Sequence, residues 1–225
     1  MIICPLNNDE CSKKVAPRKK TAFIISRSPK VIEDKKLKKV IGEVDSILKK
    51  NGFKCFYGAD SASIGDYFCD ICSNILSSAF GVAFSSIDTP ILSLCNIFME
   101  KGLMHGFGKP VVLFIDHLNN LPSDFKREYI IVYKDRDYLK KFIKIIKIFK
   151  SAQNYYHKLG DIALKAEDYE RAARYYKDAY LMGAKKTNKK INNLIFLLRR
   201  DNNNSLSIKS RLLNDLNTFK VLSKK

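Results

Sequence analysis

The chain has 225 residues, 46% hydrophobic and 11% aromatic, enough for one domain of ordinary size plus an appendage with a core, which excludes a solvated tail. No run approaches the roughly 18 apolar residues of a membrane span, and MIICPLNNDECSKKVAPRKK holds no apolar stretch of signal-peptide length, so a cytoplasmic protein without membrane contact is expected. A net charge of +18 raises nucleic-acid binding as a possibility, but the excess is spread along the chain, with residues 151–225 carrying 16 Lys/Arg against 7 Asp/Glu.

After an N-terminal segment over 1–19, KTAFIIS (Lys20 to Ser26) is a short apolar run that reads as a buried first strand. Apolar residues at Ile32, Leu37, Val40, Ile41, Val44, Ile47 and Leu48 recur at helical spacing and predict a helix that ends at the glycine of NGF. KCFYG (Lys54 to Gly58) reads as a second strand, 66–77 as a helix, FGVAFS (Phe80 to Ser85) as a third strand and 90–107 as a helix. KPVVLFI (Lys109 to Ile115) and EYIIVY (Glu128 to Tyr133) complete five strands. This alternation predicts an α/β domain over 20–150, its parallel strands joined by right-handed crossovers and covered by helices on both faces. Ligands of such sheets collect at the carboxyl ends of the strands. The candidate ligand loops therefore begin at Ser26 and Arg27, at Gly58 to Asp60, and at Ser85 to Asp88.

One residue on the third predicted helix stands out. In CNIFMEKGLMHGFGKPVVLFID (Cys95 to Asp116), Glu100 interrupts an apolar helix, and Asn96 lies one turn before it on the same side. An outward Glu100 paired with Lys101 or Lys109 is the ordinary reading of a helical carboxylate. The apolar neighbours Ile97, Met99, Leu103 and Met104 favour a carboxylate at the rim of a ligand site.

The run SNILSSAFGVAFSSIDTPILSLCNIFMEKGLMHGFGKPVVLFI, followed by LPSDFKREYIIVY, resembles the nucleoside 2-deoxyribosyltransferase-like and Toll/interleukin-1-receptor-like (TIR-like) nucleotide-hydrolysing proteins of prokaryotes. The elements that carry it are Ser78-Ala79, the series Asn96-Ile97-Phe98-Met99-Glu100-Lys101-Gly102, Gly108-Lys109-Pro110 and Leu121-Pro122. The likeness spans roughly Thr21 to Tyr133. It implies a flavodoxin-like five-stranded parallel sheet and a nucleotide or nucleoside N-glycosidase, NAD hydrolysis included, with Glu100 as the catalytic carboxylate. Ser26, Arg27, Asp60, Asp88 and Asn96 become the candidate substrate-binding residues. In place of the acids that this group carries after the third strand, the loop SSIDTPILSLC has Asp88 alone, and Cys95 stands where a proline is usual. The alternative is a sensor that binds a nucleotide without cleaving it.

Cysteines and the remaining charge suggest further partners. Cys4 and Cys11, with Cys69 and Cys72 of CDIC, could supply four thiolates to a structural zinc ion; packing of small core residues is the competing reading. Cys55 and Cys95 are expected to be buried packing residues. Catalysis requires no cofactor. The basicity comes mainly from lysine on helix faces such as YLKKFIKIIKIFK (Tyr138 to Lys150), where a solvated face is the commoner explanation, and no zinc-finger or aromatic ribonucleoprotein motif accompanies it. Direct nucleic-acid binding is therefore not the first expectation, though composition leaves it open.

From 151 onward the sequence is helical. QNYYHKLGDIALKAEDYERAARYYKDAYLMGA resembles one tetratricopeptide repeat (TPR), with Tyr156, Leu159, Gly160, Ala172, Tyr176 and Ala179 at its signature positions. Two further helices are expected near 189–199 and 206–222, split by DNNNS. A single repeat cannot bury its own face, so those helices or another subunit must cover it. A homo-oligomer or a protein partner through this TPR-like module is expected, with a plain helical bundle as the alternative. Joined to a TIR-like domain, such a module resembles prokaryotic antiviral defence effectors.

Overall fold

The computed structural model describes residues 14–27, 32, 34–58, 67–118, 129–201 and 206–224. The chain divides into two compact units. One is Lys20–Ser151; the other gathers the described residues before Lys20 and those from Ala152 onward.

In the α/β unit, strands β1 (Thr21–Ile25), β2 (Lys54–Tyr57), β3 (Phe80–Phe84), β4 (Val111–Ile115) and β5 (Tyr129–Val132) form one all-parallel sheet of order β2-β1-β3-β4-β5. This is the flavodoxin-like order, in which the connections change direction between β1 and β3. Every residue of β1, β3 and β4 is buried, as expected for strands covered on both faces.

The connecting helices supply both layers. Helix α1 (Lys35–Lys50) starts where the Asp34 carboxylate accepts from the backbone N–H groups of Lys36 (2.8 Å) and Leu37 (3.0 Å). It buries Leu37, Val40, Ile41, Val44 and Leu48 and stops at Asn51, with Gly52 at a φ of 81°. On the opposite face, α2 (Tyr67–Ser77) and α3 (Ile91–Gly106) enclose Phe23, Ile25, Ile71, Ile75, Ile97 and Met104 in one core cluster. Helix α4 (Tyr138–Lys165) begins over the α1 side, where Phe142 meets Phe114 and Phe149 meets Phe80, with ring centroids 5.1 and 4.8 Å apart.

The division between units falls at 151/152, one residue from the boundary that the sequence reading places at 150/151, and it lies inside α4, a single helix of 28 residues. The second unit continues with α5 (Tyr169–Leu181), α6 (Thr187–Arg200) and α7 (Leu206–Leu222). Its core joins Ala163, Ala172, Tyr176, Leu194, Leu198 and Leu216. A Cβ added at Gly160 would lie 2.4 Å from the Tyr176 ring, so the close approach of α4 and α5 requires glycine there. The Tyr176 hydroxyl donates to Asp161 at 2.7 Å, and Lys190 of α6 donates to the same carboxylate at 2.6 Å, tying three helices together. Among the described residues, no helix is long and apolar enough to cross a membrane.

Candidate active site

Helix α3 places the solitary carboxylate. It begins after Pro90, ends at Phe107 and Gly108, and buries Ile97, Glu100, Lys101 and Met104, positions that form one inward stripe at helical spacing. Glu100 is 8% exposed. Its Oε2 would lie 3.8 Å from a Cβ built on Gly58, and the same point is 3.2 Å from the Phe23 ring. The carboxyl group thus reaches past β1 to the carboxyl end of β2, where a methyl at 58 would touch it at contact distance and press on the Phe23 ring.

The electrostatics of Glu100 follow from this position. No hydrogen bond or ion pair to Glu100 is found among the described residues; in particular, no salt bridge joins it to Lys101 or Lys109. Burial alone pushes its pKa from 4.5 up to about 7. Near neutral pH the group is therefore divided between acid and carboxylate. It can accept a proton, donate one, or act as an anion in a poorly solvated setting, where its charge interacts strongly with a developing cation.

The other expected site residues are distributed unevenly. Ser26 and Arg27 follow β1, both half-buried, with the Ser26 hydroxyl donating to the Arg27 carbonyl at 2.9 Å. Asp60 lies outside the described residues. Asp88 is exposed in the β3–α3 turn, and Asn96 is exposed on α3 although it precedes Glu100 by one turn. That difference arises because the inward stripe runs through Ile97 and Glu100. Cys95, expected to be buried, is exposed on the outer side of the same helix, while Cys55 is half-buried.

Asp116, which the sequence reading did not single out, organises the neighbouring strand ends. It directly follows β4 and is 3% exposed. Its Oδ2 accepts from the Ile87 backbone N–H at 3.2 Å and lies 3.6 Å from Lys134 Nζ, so it ties the β3–α3 turn to the ends of β4 and β5. Within that turn, Thr89 Oγ1 accepts from the Ser86 N–H at 2.9 Å. Burial first, then the negative charges of Asp116, Asp34 and Asp88, holds the Tyr133 hydroxyl well above the usual tyrosine range. An acid immediately after an apolar strand run was the available signal in the sequence, but its partner lies 29 positions away.

Of the four cysteines in the zinc expectation, the described residues include two. Cys69 and Cys72 lie one turn apart on α2, both half-buried. Cys4 and Cys11 lie outside the described residues. Among the described residues, no group of three or more His, Cys, Asp or Glu side chains is arranged to hold a metal ion. His105 is exposed, His117 shares a 2.9 Å hydrogen bond with Lys134, and His157 pairs with Thr187 at 2.9 Å in the helical unit.

Comparison with family models, with curated proteins and with solved structures finds no match for this chain.

Proposed function

We propose that the α/β unit is an N-glycosidase acting on a nucleoside or nucleotide, NAD among the candidates, with Glu100 as the essential carboxylate. The observation that supports this most is a carboxyl group buried at the carboxyl edge of a parallel sheet, beside β1 and the end of β2, with no cationic partner among the described residues. Cleaving an N-glycosidic bond moves the electron pair of the C1′–N bond onto the leaving base and develops positive charge on the sugar. An adjacent carboxylate stabilises that charge, or attacks C1′ to form a glycosyl ester that water then hydrolyses. Both routes use the anion, so turnover should rise with pH through about 7 and level off above it. Ser26 and Arg27 at the end of β1 suit contact with ribose or phosphate. The chemistry needs no cofactor; a zinc ion held by Cys4, Cys11, Cys69 and Cys72 would be structural.

A second reading, a nucleotide sensor without turnover, is favoured by the exposure of Asp88 and Asn96, two of the polar neighbours expected for Glu100. We further read the helical unit as a TPR-like interaction module, on the close Gly160–Tyr176 approach and the buried Ala172 and Ala179. Incubating wild type and Glu100→Gln with nucleotides and nucleosides separates the two readings. Release of free base by wild type alone supports the enzyme; unaltered ligands bound by both proteins support the sensor.

A further inference from the structure

We propose that the outer face of α1 and of α4 up to Ser151 binds duplex nucleic acid through its phosphates, without reading sequence. The two helices lie side by side in one layer of the α/β unit. The Tyr138 hydroxyl donates to Glu43, and Lys150 Nζ donates to Asn51 at 3.5 Å, an order of pairs that makes the helices parallel. On α4, Phe142, Ile146 and Phe149 face the core, while Lys140, Lys144 and Lys147 occupy the opposite positions and are exposed. On α1, Lys35, Lys39 and Lys50 point outward in the same way, opposite Leu37, Val44 and Leu48.

The charge on this face is unbalanced. Helix α1 holds six lysines against Glu43 and Asp45, and residues 138–151 hold five lysines and no acid. The carboxylates nearby are already engaged: Glu43 with Lys39 at 3.9 Å, Asp45 with Lys49 at 2.6 Å, and Asp135 and Asp137 with Lys141 at 2.8 and 3.1 Å. Lys35, Lys36, Lys50, Lys140, Lys144 and Lys147 have no carboxylate partner among the described residues.

Helix stability accounts for only part of this pattern. Lys50 in the last turn of α1 suits the helix dipole, but Lys35 and Lys36 stand in its first turn and oppose it, with the Asp34 cap as the one acid beside them. Lys140, Lys144 and Lys147 follow at spacings of four and three, which sets like charges beside one another. A face kept merely solvated would mix the two signs. An external polyanion supplies the missing charge.

The chemistry of the face selects a duplex. Exposed aromatic side chains, on which single-stranded bases would stack, are lacking among the described residues of 35–50 and 138–151. Ile148 is the one large apolar side chain exposed there, too little to insert into an anionic membrane. Lysines on two adjacent rods meet phosphates as point charges, which fixes position but reads no base.

The test is fluorescence anisotropy of the full chain with two unrelated labelled duplexes of roughly 24 base pairs over a range of KCl concentrations. Equal binding of both is expected, with a slope of log K against log salt of about −5, corresponding to about six phosphates. Replacing Lys35, Lys140, Lys144 and Lys147 together by Gln keeps helix propensity and should reduce that slope to about −2. It should weaken binding near 100 mM salt on the order of 1,000-fold. The control substitutions Lys185→Gln and Lys189→Gln, exposed and on neither α1 nor α4, should leave both quantities unchanged. Absence of duplex binding at low salt overturns the proposal, as does undiminished binding by the fourfold variant. Tighter binding of single strands, or binding of phosphatidylserine vesicles without duplexes, also overturns it.

Discussion

Glu100→Gln should stabilise the protein at alkaline pH and leave it nearly unchanged in acid. In the fold the carboxyl group has a pKa of about 7, against 4.5 for a free side chain, and burial is the cause. At about 1.4 kcal/mol per tenfold change, ionising Glu100 in the folded state costs about 3 kcal/mol relative to the unfolded chain. The sign follows from the protons bound. Between 4.5 and about 7 the native state holds a proton on Glu100 that the unfolded state has released, so wild-type stability falls as pH rises through this window. The penalty is absent below 4.5 and fully present above 7. Glutamine fills nearly the same space and never ionises; its buried amide carries a smaller desolvation cost. Urea unfolding of both proteins, followed by far-ultraviolet circular dichroism across this pH range, should show a variant more stable by about 2–3 kcal/mol at pH near 8, the gap closing toward pH near 4. A gap that does not depend on pH, or a variant less stable than wild type above neutrality, would refute the claim that Glu100 is buried without a compensating charge among the described residues.

Two glycine substitutions probe the other close approaches. Gly160→Ala would drive a methyl to 2.4 Å from the buried Tyr176 ring, which its hydrogen bond to Asp161 restrains, and should cost about 2–3 kcal/mol by thermal or urea unfolding. Gly58→Ala places its methyl 3.2 Å from Phe23 and 3.8 Å from Glu100, so it should cost about 1 kcal/mol of stability while lowering turnover at least tenfold, measured as kcat/KM.

Much of the fold was legible because each strand of the α/β unit is a short apolar run bracketed by polar or glycine-containing segments. TAFII, FGVAF and VVLFI are buried throughout, and the helices between them leave a parallel sheet as the consistent arrangement. Helix α3 was harder to read because it is apolar nearly all round, so hydropathy gives no inward direction. Ile91, Leu92 and Met99 are exposed on it, whereas Lys101 is buried, the reverse of what side-chain polarity suggests. Asn96 and Glu100 consequently differ in exposure despite their spacing. That α4 runs unbroken was also hidden: the change of residue character near 151 marks the division between units at 151/152, but helical propensity continues across it. Asp116 acts on the Ile87 N–H through the fold, and no local pattern announces such a contact.

The most direct measurement is a product assay by liquid chromatography and mass spectrometry, with wild type and Glu100→Gln each incubated with a pool of NAD, nucleotides and deoxynucleosides. Wild type should release a free base or nicotinamide, with a rate that climbs through pH of about 7, and Glu100→Gln should be slower on the order of 100-fold or more. Product formed equally by both proteins, or by neither at high enzyme concentration, would contradict the assignment of Glu100 as the carboxylate of an N-glycosidase.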